Sequence, residues 1–247
     1  DYTATVASDD DSDSTTVTVE SGTLASLVTQ YDATQEAGSD GDSITTLTDR
    51  AGTNDLTGNA TLKTGVQNGN AVYRHDAVDD GFDDSSFTDL SQPITIIAVV
   101  VDAAQVEGNS NPDREMIVTN DVAGGTGGEI GLYWEGNSNH NWRLRANKSG
   151  DSFNNFEGTA TAAPILLTAI LDGSSAKFRE DGSDVATGDT GSISWGTDIT
   201  VGLKNDGVAN YLDGDLGELR IYDSNLDADG DLSSEERALA SKWGLSI

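Results

Sequence analysis

The sequence predicts an all-β domain, built as a sandwich or jelly roll of antiparallel strands, on three observations. Short apolar segments recur along the middle of the chain, glycine-rich turns separate many of them, and helical periodicity is almost absent. The 28 glycines and three prolines suit tight turns between many short strands. The predicted strands are residues 71–76, 94–101, 116–119, 129–134, 142–146, 165–171, 176–180, 199–203 and 216–222.

The boundaries of these elements follow from turn chemistry. Asn68-Gly69 predicts a tight hairpin turn before the strand at 71–76, because both residues tolerate positive φ. Further turns are expected at 124–128, 172–173, 181–182 and 205–207, and one helical turn at 23–30. A short helix is expected to end near Trp243-Gly244. With no repeat and no long linker, the chain divides into an acidic N-terminal arm, residues 1–22, and one domain, residues 23–247.

The charge of the chain limits its partners and its environment. It carries 43 acidic and 13 basic residues, for a formal net charge of −30, and 35% hydrophobic residues. The strand pattern is too regular for a disordered chain, so we interpret the acidity as a halophilic surface, since molar salt screens charges over about 3 Å. The same charge argues against nucleic acid as a partner. No apolar run approaches the ~20 residues of a membrane span.

The N-terminal arm alternates like a pair of strands around the acidic run at 9–13. It is either a flexible leader or edge hairpin, or an arm that adds a strand to the sheet of a neighbouring subunit.

Several short motifs, in this order, resemble the laminin-G-like branch of the concanavalin A-like lectin/glucanase superfamily. The resemblance covers roughly residues 30–247. It rests on Tyr31-Asp32-Ala33, on Asp49-Arg50 with Gly52 and Asp55, on Asn68-Gly69 with Val72 and Arg74, on Gln92-Pro93-Ile94, on Gly217-Glu218-Leu219-Arg220-Ile221-Tyr222-Asp223, and on Glu236 with Lys242-Trp243-Gly244. It implies a jelly-roll sandwich of two antiparallel sheets with a short C-terminal helix.

The acidic loop, residues 225–236, has the spacing of a calcium-binding loop. Alternate oxygen ligands, a glycine at position 6 and a glutamate at position 12 can enclose one hard cation. The candidate ligands are Asn225, Asp227, Asp229, Asp231, Ser233 and Glu236, with Gly230 at position 6. A structural calcium ion is one interpretation, and a solvated turn that caps the following helix is the other.

A carbohydrate site needs aromatic faces for the sugar ring and polar groups for its hydroxyls. The candidates are Tyr133, Trp134, His140, Trp142 and Trp195. Alternation puts Trp142 and Leu144 on one face of their strand, with Arg143 and Arg145 on the other. The alternative is that the tryptophans fill the core, as large aromatic residues in sandwiches usually do.

Two functions are consistent with these features. The first is a non-catalytic recognition or adhesion domain that binds glycans or a cell-surface protein, outside a halophilic cell or on a virion. The second is a structural subunit of a capsid, spike, fibre or surface assembly, tied to its neighbours through residues 1–22. A glycoside hydrolase is disfavoured, because the Glu-x-Asp-x-x-Glu strand that the superfamily's retaining glucanases carry is absent.

Overall fold

The computed structural model describes residues 2–5, 16–19, 24–104, 114–120, 130–136, 140–146, 154–203 and 210–247. These residues are mostly extended, as predicted. The strands are β1 (Tyr2–Thr5), β2 (Thr16–Val19), β3 (Leu27–Asp32), β4 (Ser43–Leu47), β5 (Leu56–Gln67), β6 (Asn70–Asp76), β7 (Gly81–Asp84), β8 (Ile94–Ala103), β9 (Arg114–Thr119), β10 (Ile130–Glu135), β11 (Asn141–Ala146), β12 (Asn154–Glu157), β13 (Ile165–Leu171), β14 (Ala176–Glu180), β15 (Ser183–Gly188), β16 (Ile199–Val201) and β17 (Asp213–Tyr222). Two helices follow, α1 (Leu226–Asp229) and α2 (Leu232–Trp243).

Fifteen of the described strands form one continuous antiparallel sheet. Its order is β12-β11-β10-β9-β16-β7-β5-β6-β17-β8-β13-β14-β15, with β3 added at β17 and β4 at β5. The two ends of the sheet come together, because the Asn154 side chain on β12 donates a hydrogen bond to the Asp189 carbonyl just beyond β15. The sheet is therefore nearly closed. The predicted all-β antiparallel architecture is confirmed, and its division into the two sheets of a sandwich stays a prediction.

The centre of the sheet is buried on both faces. On β8, Ile94 and Ile96 belong to the large core that the sheet encloses. Ile97 and Val99 point the other way, into a smaller core beneath α2 that also contains Trp243. A strand covered on both faces needs a continuous apolar run rather than an alternating one, which explains the unbroken hydrophobic sequence of residues 94–101.

The more polar strands were missed by the sequence analysis, and one element was assigned wrongly. Residues 27–32 form β3, where one helical turn was expected. The segment pairs with β17, so tertiary contacts override its weak helical pattern. The Asn68-Gly69 turn is confirmed, with φ of 50° and 80° at the two residues. The turns expected at 124–128 and 205–207 lie outside the described residues.

Only β1 and β2 are described within the predicted N-terminal arm. They pair with each other in an antiparallel register from Tyr2↔Val19 to Thr5↔Thr16. They form a two-stranded sheet separate from the main one. This pairing is the hairpin alternative of the sequence analysis.

The carboxylate of Glu218 joins the centre of the sheet to α2. It is almost completely buried on β17 and accepts hydrogen bonds from four side chains. Oε1 accepts from Gln30 Nε2 at 2.6 Å and from Arg220 Nε at 2.7 Å. Oε2 accepts from Lys242 Nζ at 2.7 Å and from Trp243 Nε1 at 3.2 Å. One side chain thus fixes β3, β17 and α2 relative to one another.

Two neighbours complete this junction. Lys242 Nζ also donates to Asp32 Oδ2 at 2.7 Å. Burial by itself raises the pKa of Asp32, but the hydrogen bond and charge of Lys242, together with hydrogen bonds from Thr34 and Gln35, lower that pKa below its ordinary value. The indole of Trp243 lies against Gly217, where an added Cβ would come within 2.7 Å of the ring. Three of the motifs that suggested the family resemblance meet at this junction, through Asp32, through Gly217-Glu218 and through Lys242-Trp243.

We expect Glu218→Gln to lower the free energy of unfolding by about 1–3 kcal/mol, because the amide NH2 group would face donors where a carboxylate oxygen now accepts. Lys242 and Arg220 keep Asp32 and Glu235 as counter-charges, which limits the loss. Urea unfolding in constant molar salt measures the loss. The matched control is Asp40→Asn, which removes the exposed ion pair with Lys63 and should leave the midpoint nearly unchanged. A loss in Glu218→Gln no larger than in the control would contradict this role.

Candidate functional site

The three tryptophans expected to contact a sugar lie in the core. Trp134, Trp142 and Trp195 are 3%, 0% and 0% exposed. The first two meet edge to face with their ring centroids 5.2 Å apart. The indole nitrogens of Trp142 and Trp195 donate to the carbonyls of Thr161 and Asp198. Their rings are enclosed by the core, as the core-packing alternative expects for all three.

The two other candidates differ from the tryptophans. His140 is half-buried at the start of β11, with φ of 43°. Tyr133 lies on β10 next to Trp134, so its ring points to the opposite face of the sheet. It is only 2% exposed, yet it belongs to neither apolar core.

The alternation of β9–β12 gives the sheet a second, polar face. Leu132 pairs with Leu144 and Trp134 with Trp142 on the core side, while Tyr133 pairs with Arg143 on the other. Side chains of directly paired residues lie on the same face. We call this second face the arginine face. Its side chains are Arg114, Met116, Tyr133, Glu135, Asn141, Arg143, Arg145 and Glu157.

Arg143 is the centre of the arginine face. Its Nη2 lies 3.0 Å from Glu157 Oε1, and its Nη1 lies 3.5 Å from Glu135 Oε2. Its Nε donates to Asn141 Oδ1 at 3.1 Å. Arg114 Nε donates to the same Glu135 oxygen at 3.0 Å. One carboxylate oxygen therefore serves two guanidinium groups.

The surroundings of Tyr133 are closely packed. Gly131 lies beside it, opposite Arg145 on β11. A Cβ there would lie 3.3 Å from the Met116 methyl group and 3.6 Å from the Tyr133 ring. The Arg114 guanidinium lies 5.3 Å from the centroid of that ring. Burial raises the pKa of Tyr133, and the positive charge of Arg114 opposes that rise.

The arginine face reverses the charge balance of the chain. It holds three of the 13 basic residues and only two carboxylates among the described residues, a surplus of one positive charge in a chain of net −30. Sequence reasoning had placed Arg143 and Arg145 on this face, but it selected as site residues the tryptophans of the core side together with Tyr133 and His140. The sequence signal that could have identified the arginine face is the alternation of arginine with apolar residues along β11.

The six candidate ligands of the acidic loop do not converge on one point. Asn225 caps α1, accepting from the amides of Asp227 and Ala228. Asp227 pairs with Lys177 at 2.6 Å. Gly230 ends α1 in the left-handed conformation.

The rest of the loop belongs to α2. Asp231 lies at its N-cap position, and Ser233 is exposed in its first turn. Asp229 is exposed at the end of α1. Glu236 is buried and binds Arg179 and Thr168, both at 2.9 Å. Asp231 makes no side-chain capping hydrogen bond to α2, so the capping alternative applies only to Asn225 at α1. A calcium ion in this loop stays a prediction.

A different acidic group converges instead. Among the described residues, the carboxylates of Asp76, Asp79 and Asp80 form the single cluster of three with ligand atoms within 4.8 Å of one another. Burial, and then the charges of the other two, raise the pKa of Asp80. Asp76 Oδ1 accepts from the Val78 amide, and Asp80 Oδ1 accepts from Asn59. This cluster is the turn between β6 and β7.

No family model and no curated protein sequence matches the chain. In the described residues, no helix has the length and apolar character needed to cross a membrane. The comparison of structures does return neighbours, which are of the β-sandwich or jelly-roll type.

One neighbour is the CBM40 of the Ruminococcus gnavus IT-sialidase bound to α2,3 sialyllactose, at 15% identity and a TM-score of 0.45, covering 59% of this chain and 83% of that one. Another is Trypanosoma rangeli sialidase in complex with sialic acid, at 15% identity and a TM-score of 0.47, covering 91% of this chain and 34% of that one. A third is the heptameric SAP-like pentraxin of Limulus polyphemus, at 12% identity and a TM-score of 0.39, covering 57% of this chain and 72% of that one. The chain thus spans about a third of the sialidase, and likenesses this distant assign neither a family nor a function.

Proposed function

We propose that this chain is a non-catalytic recognition domain that binds glycans through the arginine face. One observation carries the proposal. Arginine, glutamate, asparagine and tyrosine side chains cluster on the face of β9–β12 that points away from the core.

The energetics of buried charge favour a role in binding. Arg143 and Glu135 are both buried, and taking such groups out of water costs several kcal/mol per ion. Apolar residues of similar volume would often give equal or better stability at such a position. Stability alone therefore does not require a rigid array of ionic groups on this sheet face, which supports a role in recognition.

The chemistry of the face suits sugar hydroxyls, which both donate and accept hydrogen bonds. The guanidinium groups supply donors in a fixed planar geometry, and Glu135 and Glu157 supply acceptors. Asn141 and Glu135 hold Arg143 in place before a ligand arrives, which lowers the entropy lost on binding. Glu157, with its side chain 51% exposed, forms the accessible side of the cluster.

We further propose a location outside the cell, on the surface of a halophilic cell or a virion, with a glycan or a glycan-bearing surface protein as partner. The net charge of −30 supports the high-salt setting. Membership of the laminin-G-like branch, with two stacked sheets, is part of the same proposal. It is supported by the junction that the resemblance motifs build around Glu218.

A structural role in a capsid, spike, fibre or surface assembly is the second candidate. The separate β1–β2 sheet favours it, because an isolated two-stranded hairpin is marginally stable in water and gains from packing on a neighbouring subunit.

Sedimentation in molar salt compares the full chain with a variant lacking residues 1–22. The assembly role predicts an oligomer that dissociates on deletion. A monomer in both samples contradicts it.

For glycan binding, we expect saturable binding on a glycan array in molar salt. Arg143→Lys keeps the charge but loses the planar fork, so its affinity should fall about tenfold or more. Arg237→Gln, at an exposed arginine of α2, is the matched control and should bind like the wild type. Product analysis of the bound glycans should find them uncleaved. Absence of binding to every glycan, or equal loss in both variants, would contradict the proposal.

Calcium as a structural ion is tested by thermal melting with added calcium. Because Asn225, Asp227 and Glu236 bind partners within the protein, we expect the same melting temperature with and without calcium in the wild type and in Asp231→Asn. A calcium-dependent rise in the wild type that Asp231→Asn abolishes would restore the calcium-loop interpretation. A rise abolished by Asp80→Asn alone would place the ion at the turn after β6.

A further inference from the structure

We infer that the outer edge of β4 is the docking site for a second copy of this chain, which adds its β2 strand beside β4. This inference rests on the assembly role, the second candidate function above. It adds the surface that receives the N-terminal arm and the strand that occupies it.

The first argument is that β4 differs from the other outer strands of the described sheet. β12 and β15, the end strands, lie next to each other. The outer edge of β3 is covered, since Arg50 N donates to Gln30 O at 2.8 Å and Gln30 N donates to Asp49 Oδ1 at 3.0 Å. β4 pairs with β5 on one side, and no described residue hydrogen-bonds its backbone on the other. Its outer N–H and C=O groups are therefore available to another strand.

The second argument is that β4 lacks the residues that usually protect an open edge. Natural edge strands often carry lysine, other charges or proline, whereas Ser43–Leu47 contains none of these. Ile44 and Leu47 are buried in the large core, so β4 is held in position without a partner. A bulge between Ile44 and Thr46 shortens the regular part of the edge. The segment that this edge accommodates is therefore a short strand.

The third argument is that the same chain supplies such a strand. β2, residues Thr16–Val19, consists of threonine and valine alone, which favour extended pairing. It is four residues long, against five in β4, and it pairs on one side only, with β1. In one molecule this hairpin forms a sheet separate from the main one. The partner that we assign to β4 is therefore the β2 strand of another molecule.

The energetics of pairing favour this contact. A two-stranded hairpin is marginally stable in water, and a third strand adds backbone hydrogen bonds that stabilise it. Two chains of net charge −30 repel each other, but in molar salt that repulsion acts over only about 3 Å. Because β2 and β4 carry no charge, their pairing brings no carboxylates together across the strands.

Thiol cross-linking tests the contact, because the chain has no cysteine of its own. Thr18→Cys on β2 is mixed in molar salt with Thr45→Cys on β4 or, as the matched control, with Ser241→Cys on α2. Thr45 and Ser241 are both exposed. A short bis-maleimide joins neighbouring strands even if their register shifts by about one or two residues of ~3.4 Å each. Mass spectrometry of the linked peptides should find several-fold more mixed dimer with Thr45→Cys than with the control.

The outcomes separate this inference from the assembly role. Equal yields in the two mixtures overturn the inference, and an oligomer that still dissociates on deletion of residues 1–22 then leaves the assembly role standing. A chain carrying both Thr18→Cys and Thr45→Cys that cross-links within itself, as a monomer at high dilution, also overturns it, because the arm would then fill its own edge. Monomers without cross-links in every sample overturn the assembly role as well.

Discussion

The buried carboxylate of Glu218 is the constraint on which the rest of this structure depends. It lies on the central strand β17, and four donors from β3, β17 and α2 converge on it. A carboxylate in this position is tolerable only because every one of its lone pairs is used, and each partner is thereby held in a fixed direction. The helix that these bonds fix covers the outer face of β8, β13 and β17, so the middle of the sheet is buried on both sides.

The way the sheet curves determines where a ligand can bind. Strands β9–β12 form one end of the sheet and direct Trp134, Trp142 and their neighbours into the enclosed core. Because successive side chains of a strand point to opposite faces, the charged residues lie on the other face of these strands. No helix of the described structure packs on that face. The same indoles that stabilise the core thus hold Tyr133 and Arg143 at fixed spacing. This rigidity makes the arginine face a better candidate site than an exposed acidic turn.

Sequence reasoning recovered the strands whose burial is strong and regular. Residues 165–171 and 176–180 were predicted with the bounds of β13 and β14, because β13 is apolar throughout and β14 alternates cleanly. Strands β5, β7 and β12 are polar or glycine-rich and are held by their neighbours, so no local signal marked them.

The acidic loop was ambiguous for a physical reason. A left-handed glycine and oxygen-bearing side chains serve a helix end as well as an ion. The structure adds the partners that Asn225 and Glu236 bind within the protein.

The ligand-binding role rests on the arginine face being where sugars contact the protein. The most direct measurement is nuclear magnetic resonance of the arginine Nε–Hε groups while an oligosaccharide is added in molar salt. The account predicts that the signals of Arg114, Arg143 and Arg145 shift together and saturate. Those of Arg74, Arg179 and Arg220, whose carboxylate partners lie on β17 and α2, should stay fixed. Shifts confined to the second group, or none at a concentration where binding is established, would contradict it.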